Sequence, residues 1–455
     1  MTQLKLKEKV RDFPKIRKVP RKIFHFPHGK PATHFKKIHI PKKVHTFDAF
    51  KIIDYRYLWT AHAIFSSAFW LQQVVIGWIS YQITQSPFLT SIIMGLDALP
   101  LLIGAPLGGL ITDKFDKRKL LGVIYTYQAT IVVIFGIIVI NGHAATWNIF
   151  GFVSLMGIAW TMLDPAKFSL MSMIIPKEGL VNAFALNSMA FSIMRLFIPA
   201  LGGLLITLIG TGPILFIQAG IMISAGIITQ FIKISNPDKD STPSLKRFIP
   251  EIKSGLNFVI GNPIIIGFMC TTCMMLTLVV PFMNGLMPVY AAEIFNVGPK
   301  GLGFLLSAAG LGSFLSTILL ASVKNVSRPG LIGGLVLTFL SLSMFSMAIN
   351  DIYFVGLIIV MFISGATMNY FNIAGATVQG LIPDSLRGRV TGIYIMAWGF
   401  IPLGGVLAGT LASIFSVQTA TFIGGLLLLF CVFISFCSFK KMWSYNPQSD
   451  FNKTL

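Results

Sequence analysis

Charged residues inside otherwise apolar stretches are where chemistry is to be sought, because a charge at membrane depth is costly and is kept only for use. Asp97 and Arg195 form the first such set. Counted along helices, Asp97 stands about 24 Å from Asp113 at the basic end of its segment, and Arg195 stands about 20 Å into its own. Equal depth lets the two pair, and a paired carboxylate can take up a proton when the guanidinium releases it or when a bound molecule leaves. The same placement also fits a static salt bridge. Asp164 and Lys167 form a second set; at i and i+3 they neutralise each other on one helix face. His62, near the start of its apolar stretch, is either a pH-responsive group or one satisfied locally.

The elements that hold these residues follow from composition. Of 455 residues, 54% are hydrophobic and 11% charged, with mean hydropathy +0.77. Soluble domains carry roughly 25% charge, so a soluble fold is excluded. Beyond the polar opening stretch, each helix needs about 20 apolar residues plus a short connection, and twelve spans fit. Apolar runs place them near 58–83, 90–112, 120–140, 148–172, 182–208, 212–232, 263–288, 302–322, 331–349, 353–378, 389–413 and 419–439. Connections alternate between basic ones (Lys114/Lys117/Arg118/Lys119, Lys177, Lys246/Arg247/Lys253, Lys324/Arg328, Arg387/Arg389, Lys440/Lys441) and ones nearly free of Lys and Arg. The positive-inside rule then puts both termini in the cytoplasm of a multi-pass plasma-membrane protein.

The net charge of +20 is concentrated at the start of the chain. Residues 1–56 hold sixteen Lys and Arg against four acids, Glu8, Asp12, Asp48 and Asp54. Five prolines and the absence of an apolar core before Leu58 exclude a signal peptide and one long helix. The expectation is a disordered cytoplasmic tail lying on anionic headgroups, with no nucleic-acid partner. Five histidines there are irregularly spaced, and Cys270, Cys273, Cys431 and Cys437 all lie in apolar segments, so no metal site and no cofactor are expected.

The chain is also duplicated. Ile175-Pro176 opens a segment ending in Ile198-Pro199-Ala200-Leu201-Gly202-Gly203, and Ile382-Pro383 opens one ending in Ile401-Pro402-Leu403-Gly404-Gly405. The fifth and eleventh spans are therefore equivalent. The domains expected are the tail 1–56, a six-helix bundle 57–232, a cytoplasmic linker 233–261, a second bundle 262–440 and a short tail 441–455.

Gly109-Leu-Ile-Thr-Asp113-Lys114-Phe-Asp116-Lys117-Arg118-Lys119 resembles the signature G-x-x-x-D-R/K-x-G-R/K-R/K of the major facilitator superfamily, with Asp116 where glycine is usual. Tyr55-Arg56-Tyr57-Leu58-Trp59, Trp78-x-x-Tyr81-x-x-Thr84-x-Ser86-Pro87 and Asn182-Ala183-x-Ala185-Leu186-Asn187 resemble its bacterial drug and siderophore (enterobactin-type) exporter branch. The resemblance implies an all-α membrane fold of two pseudo-symmetric six-helix bundles. It implies a gate in which Asp113 meets the eleventh helix, with Gly109 allowing close approach and Lys114, Arg118 and Lys119 latching the halves. It also implies a relay between Asp164 and Arg118 as an alternative to the Asp164–Lys167 pair. The cavity it implies is lined by Trp70, Gln72, Gln73, Asn187, Asn284, Asn369, Tyr370, Asn372 and Trp398. Ile198-Pro199-x-x-Gly202-Gly203 resembles the antiporter element of the fifth helix, or is a packing device common to both halves.

No nucleotide-binding loop is present, so an ion gradient must supply the energy. The function expected is proton-coupled efflux of amphipathic small molecules, drugs or siderophore-like compounds, by alternating access in a monomer. The alternative is a proton- or sodium-coupled uptake symporter for a nutrient or lysolipid. A membrane-embedded enzyme or receptor is disfavoured; an acyltransferase needs an aspartate five positions after a histidine, and neither His62 nor His143 has one.

Overall fold

The computed structural model describes residues 47–102, 104, 108, 112, 115–176, 179–233, 245–322, 327–383 and 386–447. Among them, eleven helices are long and apolar enough to cross a bilayer. In chain order the helices are α1 Ile53–Thr84, α2 Pro87–Leu96, α3 Lys117–Ile140, α4 Thr146–Ile174, α5 Leu180–Ile209, α6 Thr211–Gln230 and α7 Leu245–Gly261. They continue with α8 Pro263–Ile294, α9 Gly298–Ala321, α10 Pro329–Ala348, α11 Tyr353–Leu381, α12 Arg387–Ile414, α13 Val417–Ser438 and the short α14 Lys440–Ser444. No strand occurs among the described residues. Large apolar side chains such as Ile134, Leu208, Leu319 and Phe433 are exposed on the spanning helices, the inverse of a soluble core and what a hydrocarbon solvent requires.

Three features depart from the sequence expectation. First, α1 begins at Ile53 instead of near 58, because its opening turns are tied down. The Tyr55 hydroxyl donates to Ala183 O at 2.8 Å, Trp59 Nε1 donates to Leu186 O at 3.0 Å, and Asp54 accepts from the Lys233 amide at 2.8 Å. Second, the expected span 90–112 starts as the ten-residue α2 and is interrupted at Asp97. Pro100 cannot donate to Leu96 O, and the backbone tightens there, with Ala98 N–H bonding to Gly95 O and Leu99 N–H to Leu96 O. Third, the expected linker 233–261 contains the helix α7, whose Gly255 meets Arg389 and Ile393 and whose Ser254 accepts from Arg389 at 3.1 Å.

Helices α1–α6 precede α7 and helices α8–α13 follow it; these are the first and second halves of the chain. One continuous apolar interior runs through both, with Tyr125 and Met156 in the first and Phe268 and Phe282 in the second fully enclosed. The halves meet mainly where α5 packs on α9 and where α2 packs on α12 and on α8, with a smaller contact of α1 on α8. These approaches lie toward the helix ends remote from the basic connections, where Gly203 meets Gly303, Gly409 meets Phe88 and Gly77 meets Pro288.

The duplicated Pro-Gly-Gly element explains these approaches. In α5, Gly202 faces Leu71 of α1 in its own half while Gly203 faces Pro299 and Gly303 of α9 in the other. In α12, Gly404 faces Thr277 of α8 in its own half while Gly405 faces Ser91 of α2 in the other. Two adjacent glycines thus serve two neighbours roughly 100° apart around one helix. The common packing device expected from the repeat is what the fold contains.

Candidate substrate and coupling site between the two halves

Helix α1 carries the site. Trp70, Gln73, Gly77 and Tyr81 fall at helical spacing on one face, and each meets a different partner. Trp70 lies under the Arg195 guanidinium, 5.0 Å from its ring centroid. Gln73 faces the Asp97 carboxyl, and the two line one small cavity. Gly77 approaches Pro288 of α8, and the Tyr81 hydroxyl donates to Glu293 Oε1 across the two halves.

Arg195 is positioned by Pro199, which lies inside the continuous helix α5. Pro199 stands four residues after Arg195 and has no N–H to give to the Arg195 carbonyl. The next amide, of Ala200, donates to Ser307 Oγ of α9 at 2.9 Å. The opened backbone admits α9, and Gly310 lets it come close: a Cβ built there would lie 2.6 Å from Arg195 O. The side chain then reaches across to the second half, with Nη1 donating to Ser313 Oγ at 2.9 Å and Nη2 to Ser364 Oγ at 3.0 Å. The two hydroxyls are themselves 2.7 Å apart.

Asp97 lies at the C-terminal end of α2, where the helix is interrupted. A cavity of about 10 Å³, lined in part by Gln72, Gln73, Met94 and Asp97, adjoins it. That is room for one water molecule.

The expected Asp97–Arg195 pair is therefore corrected. The ion pairs among the described residues are Lys51–Asp48, Arg118–Asp116 and Lys167–Asp164, and neither Asp97 nor Arg195 takes part in one. Equal depth is a necessary condition for pairing and not a sufficient one. The two groups approach the same face of α1 at positions three residues apart and are engaged by Gln73 and by Trp70 with serine hydroxyls.

The remaining expected site residues divide by surroundings. Asn369, Asn372, Asn284 and Trp398 are half-buried on α11, α8 and α12, and Asn369 Oδ1 has no hydrogen-bond partner; Trp398 packs edge-on to Phe371 at 5.5 Å. Gln72, Asn187 and Tyr370 are instead buried within single halves. Gln72 accepts from Gln218 of α6 at 2.9 Å, Asn187 contacts Met171 at 3.3 Å, and the Tyr370 hydroxyl donates to Thr271. Helix rotation turns these three inward, which the mere presence of polar residues on cavity-lining helices does not resolve.

Asp164 pairs with Lys167 at 2.7 Å, the local alternative, and not with Arg118. Arg118 is drawn the other way: Nη1 donates to Ile232 O at 3.1 Å beyond the end of α6, and Nη2 lies 3.8 Å from Asp116. Asp116, the departure from the signature's glycine, accepts from the Arg118 and Lys119 amides at 3.0 and 3.3 Å and so N-caps α3. Lys119 is exposed. Gly109, Asp113 and Lys114 lie outside the described residues, and so does the basic tail below residue 47.

Sequence reasoning missed Ser307, Ser313 and Ser364, since serine is common in spanning helices and small polar groups give no periodic signal. It also missed the Tyr81–Glu293 contact, for which an acid in a connection otherwise poor in charge was the available hint.

Residues 44–454 match the family model described as transmembrane secretion effector, of the major facilitator type. The staphyloferrin A transporter of Staphylococcus aureus is 23% identical over 78% of this chain and 89% of its own length. The multidrug efflux pump Tap of Mycolicibacterium fortuitum is 24% identical over 74% of this chain and 84% of its own. Among solved structures, the nucleoside transporter NupG superposes with a TM-score of 0.64 at 15% identity, over 86% of this chain and 100% of that one, a likeness of fold alone. The described helices, the two halves meeting at glycine crossings and the family match together establish the chain as a transporter, not an enzyme: it belongs to the transmembrane secretion effector family of the major facilitator superfamily.

Proposed function

We propose that this transporter exports amphipathic small molecules, drugs or siderophore-like compounds, in exchange for protons. The observation that carries the reading is the single face of α1 on which Trp70 and Gln73 present Arg195 and Asp97 in successive turns, about 4.5 Å apart along the axis. A carboxyl and a cation so placed respond to each other and to a molecule lodged between the halves, and neither is neutralised by an ion pair. Two of the relatives bear names of a siderophore transporter and an efflux pump, which supports the substrate class and the outward direction.

With the basic connections in the cytoplasm, the closed crossings lie on the outer side, and the halves admit substrate from within. Substrate bound near Trp70 and Arg195 is carried when the α5–α9, α2–α12 and α1–α8 crossings open and the basic-side ends close. A proton arriving at Asp97 from outside resets the carrier, and its release inside completes one exchange. The signature residues Gly109, Asp113, Lys114, Arg118 and Lys119 serve as the inner gate in this cycle. The protein acts as a monomer, and its basic tail lies against anionic headgroups.

The test is proton movement in inside-out vesicles holding the purified protein, read with a pH-sensitive dye against amphipathic cations and siderophores. Collapse of the gradient on adding substrate, abolished in Asp97→Asn, is the expected result. Undiminished proton movement in that variant removes Asp97 from the mechanism, and no response to any compound removes proton-coupled efflux.

A further inference from the structure

We infer that Arg195 is the anchor of an anion-binding subsite, and that the transported molecule carries a carboxylate or an equivalent planar two-oxygen anionic group. The inference deepens the efflux reading and rests on it for the word transported.

A guanidinium offers five N–H donors in a fixed fork and cannot lose its proton in a protein. At depth in a membrane such a charge is normally matched by an acid. Among the described residues Arg195 has none: two of its donors go to the neutral hydroxyls of Ser313 and Ser364, and its charge lies over the Trp70 ring. Serine hydroxyls and an indole face attract a cation without cancelling it.

The unfilled positions around the guanidinium have one sign. Among the described residues Arg195 Nε is enclosed and has no acceptor, and Trp70 Nε1, on the ring that the guanidinium covers, is enclosed without one as well. Both are donors only. Buried donors without acceptors cost about 1–3 kcal/mol each, so the arrangement is completed by a ligand that accepts. Nε and a terminal nitrogen of one guanidinium form the edge that matches the two oxygens of a carboxylate.

The position suits a transported ligand. Arg195 belongs to one half, Ser313 and Ser364 to the other, and the backbone beside Arg195 is the α5–α9 crossing itself. An anion seated there touches both halves and is released when they part. Asp97, one turn along the same face of α1, disfavours the anion when charged and tolerates it when protonated. This field by itself favours proton and anion together, which is the sense of an uptake symporter, and the proton-movement assay separates that sense from exchange.

Binding is measured on detergent-purified full-length protein by tryptophan fluorescence and thermal shift, with succinate, citrate and benzoate as probes and the matching uncharged amides as controls. The expected result is stabilisation by at least one carboxylate and by none of the amides. In Arg195→Gln the carboxylate affinity falls at least tenfold, and in Arg195→Lys, which keeps charge but loses the fork, it falls between the two. Amides that bind as well as the acids, carboxylate affinity unchanged in Arg195→Gln, or no carboxylate binding to the wild type at millimolar concentration overturns the proposal. The wild-type comparison of acid with amide needs no variant to fold. Proton movement scores efflux separately. Arg195-dependent carboxylate binding without proton movement keeps the subsite and removes coupled efflux. Proton movement driven by cations alone keeps efflux and removes the subsite.

Discussion

Substituting Gly203 by alanine acts on the carrier's conformational balance without touching a charged or polar site group. A Cβ built at Gly203 would lie 3.0 Å from the Gly303 Cα, and one built at Gly303 would lie 3.0 Å from the Gly203 Cα, with Pro299 O and Pro199 O respectively closer still. These are backbone atoms, so no side chain can swing away. Carbon atoms rest about 3.5–4.0 Å apart, so α5 and α9 must separate by about 0.5–1 Å. Overpacking of this order costs about 1–3 kcal/mol. The cost falls only on the state in which the two helices touch, which converts to about a 5- to 150-fold shift toward the state in which they have parted. Spin labels at the exposed Gln82 and Lys300, on the two halves at the closed end, report the distance between them. The wild type is expected to give mainly the short distance, and Gly203→Ala a population moved to the longer one. Gly220→Ala is the control, since nothing lies within 4 Å of a Cβ at that glycine. A folded Gly203→Ala protein with the wild-type distance distribution would refute the claim that this crossing is a closing contact.

Removing the Tyr81–Glu293 contact by Glu293→Ala should shift the same label pair in the same direction by less, since an exposed carboxylate contributes about 1 kcal/mol at most; an unchanged distribution shows that this contact does not hold the halves together. Tyr55→Phe leaves the Ala183 carbonyl without its donor and should cost about 1–2 kcal/mol, read as a lower unfolding midpoint in detergent with transport geometry unaltered.

The all-helical membrane fold and the duplicated element were legible because hydrocarbon imposes a one-dimensional rule: a span needs an apolar run of fixed length, and the expected second span falls short of it only where Pro100 interrupts the helix. Asp97 and Arg195 were legible as singular residues for the same reason, a charge where apolar groups are required. Their partners were not. Pairing depends on rotation about each helix axis and on which helices cross, and both are set by Pro199, by Pro100 and by glycines that admit α9 and α12 to within backbone contact. Gln72, Asn187 and Tyr370 read as cavity residues and turned inward for that reason. Asp116 read as a flaw in a signature and proved to be a helix cap, which local sequence could have told. The sequence by itself determined that this chain spans a membrane, which follows from composition, and that it resembles a transporter family, which follows from its motifs. Only the tertiary structure decided that Arg195 faces serines and a tryptophan instead of an acid, because that outcome is fixed by contacts between residues more than a hundred positions apart.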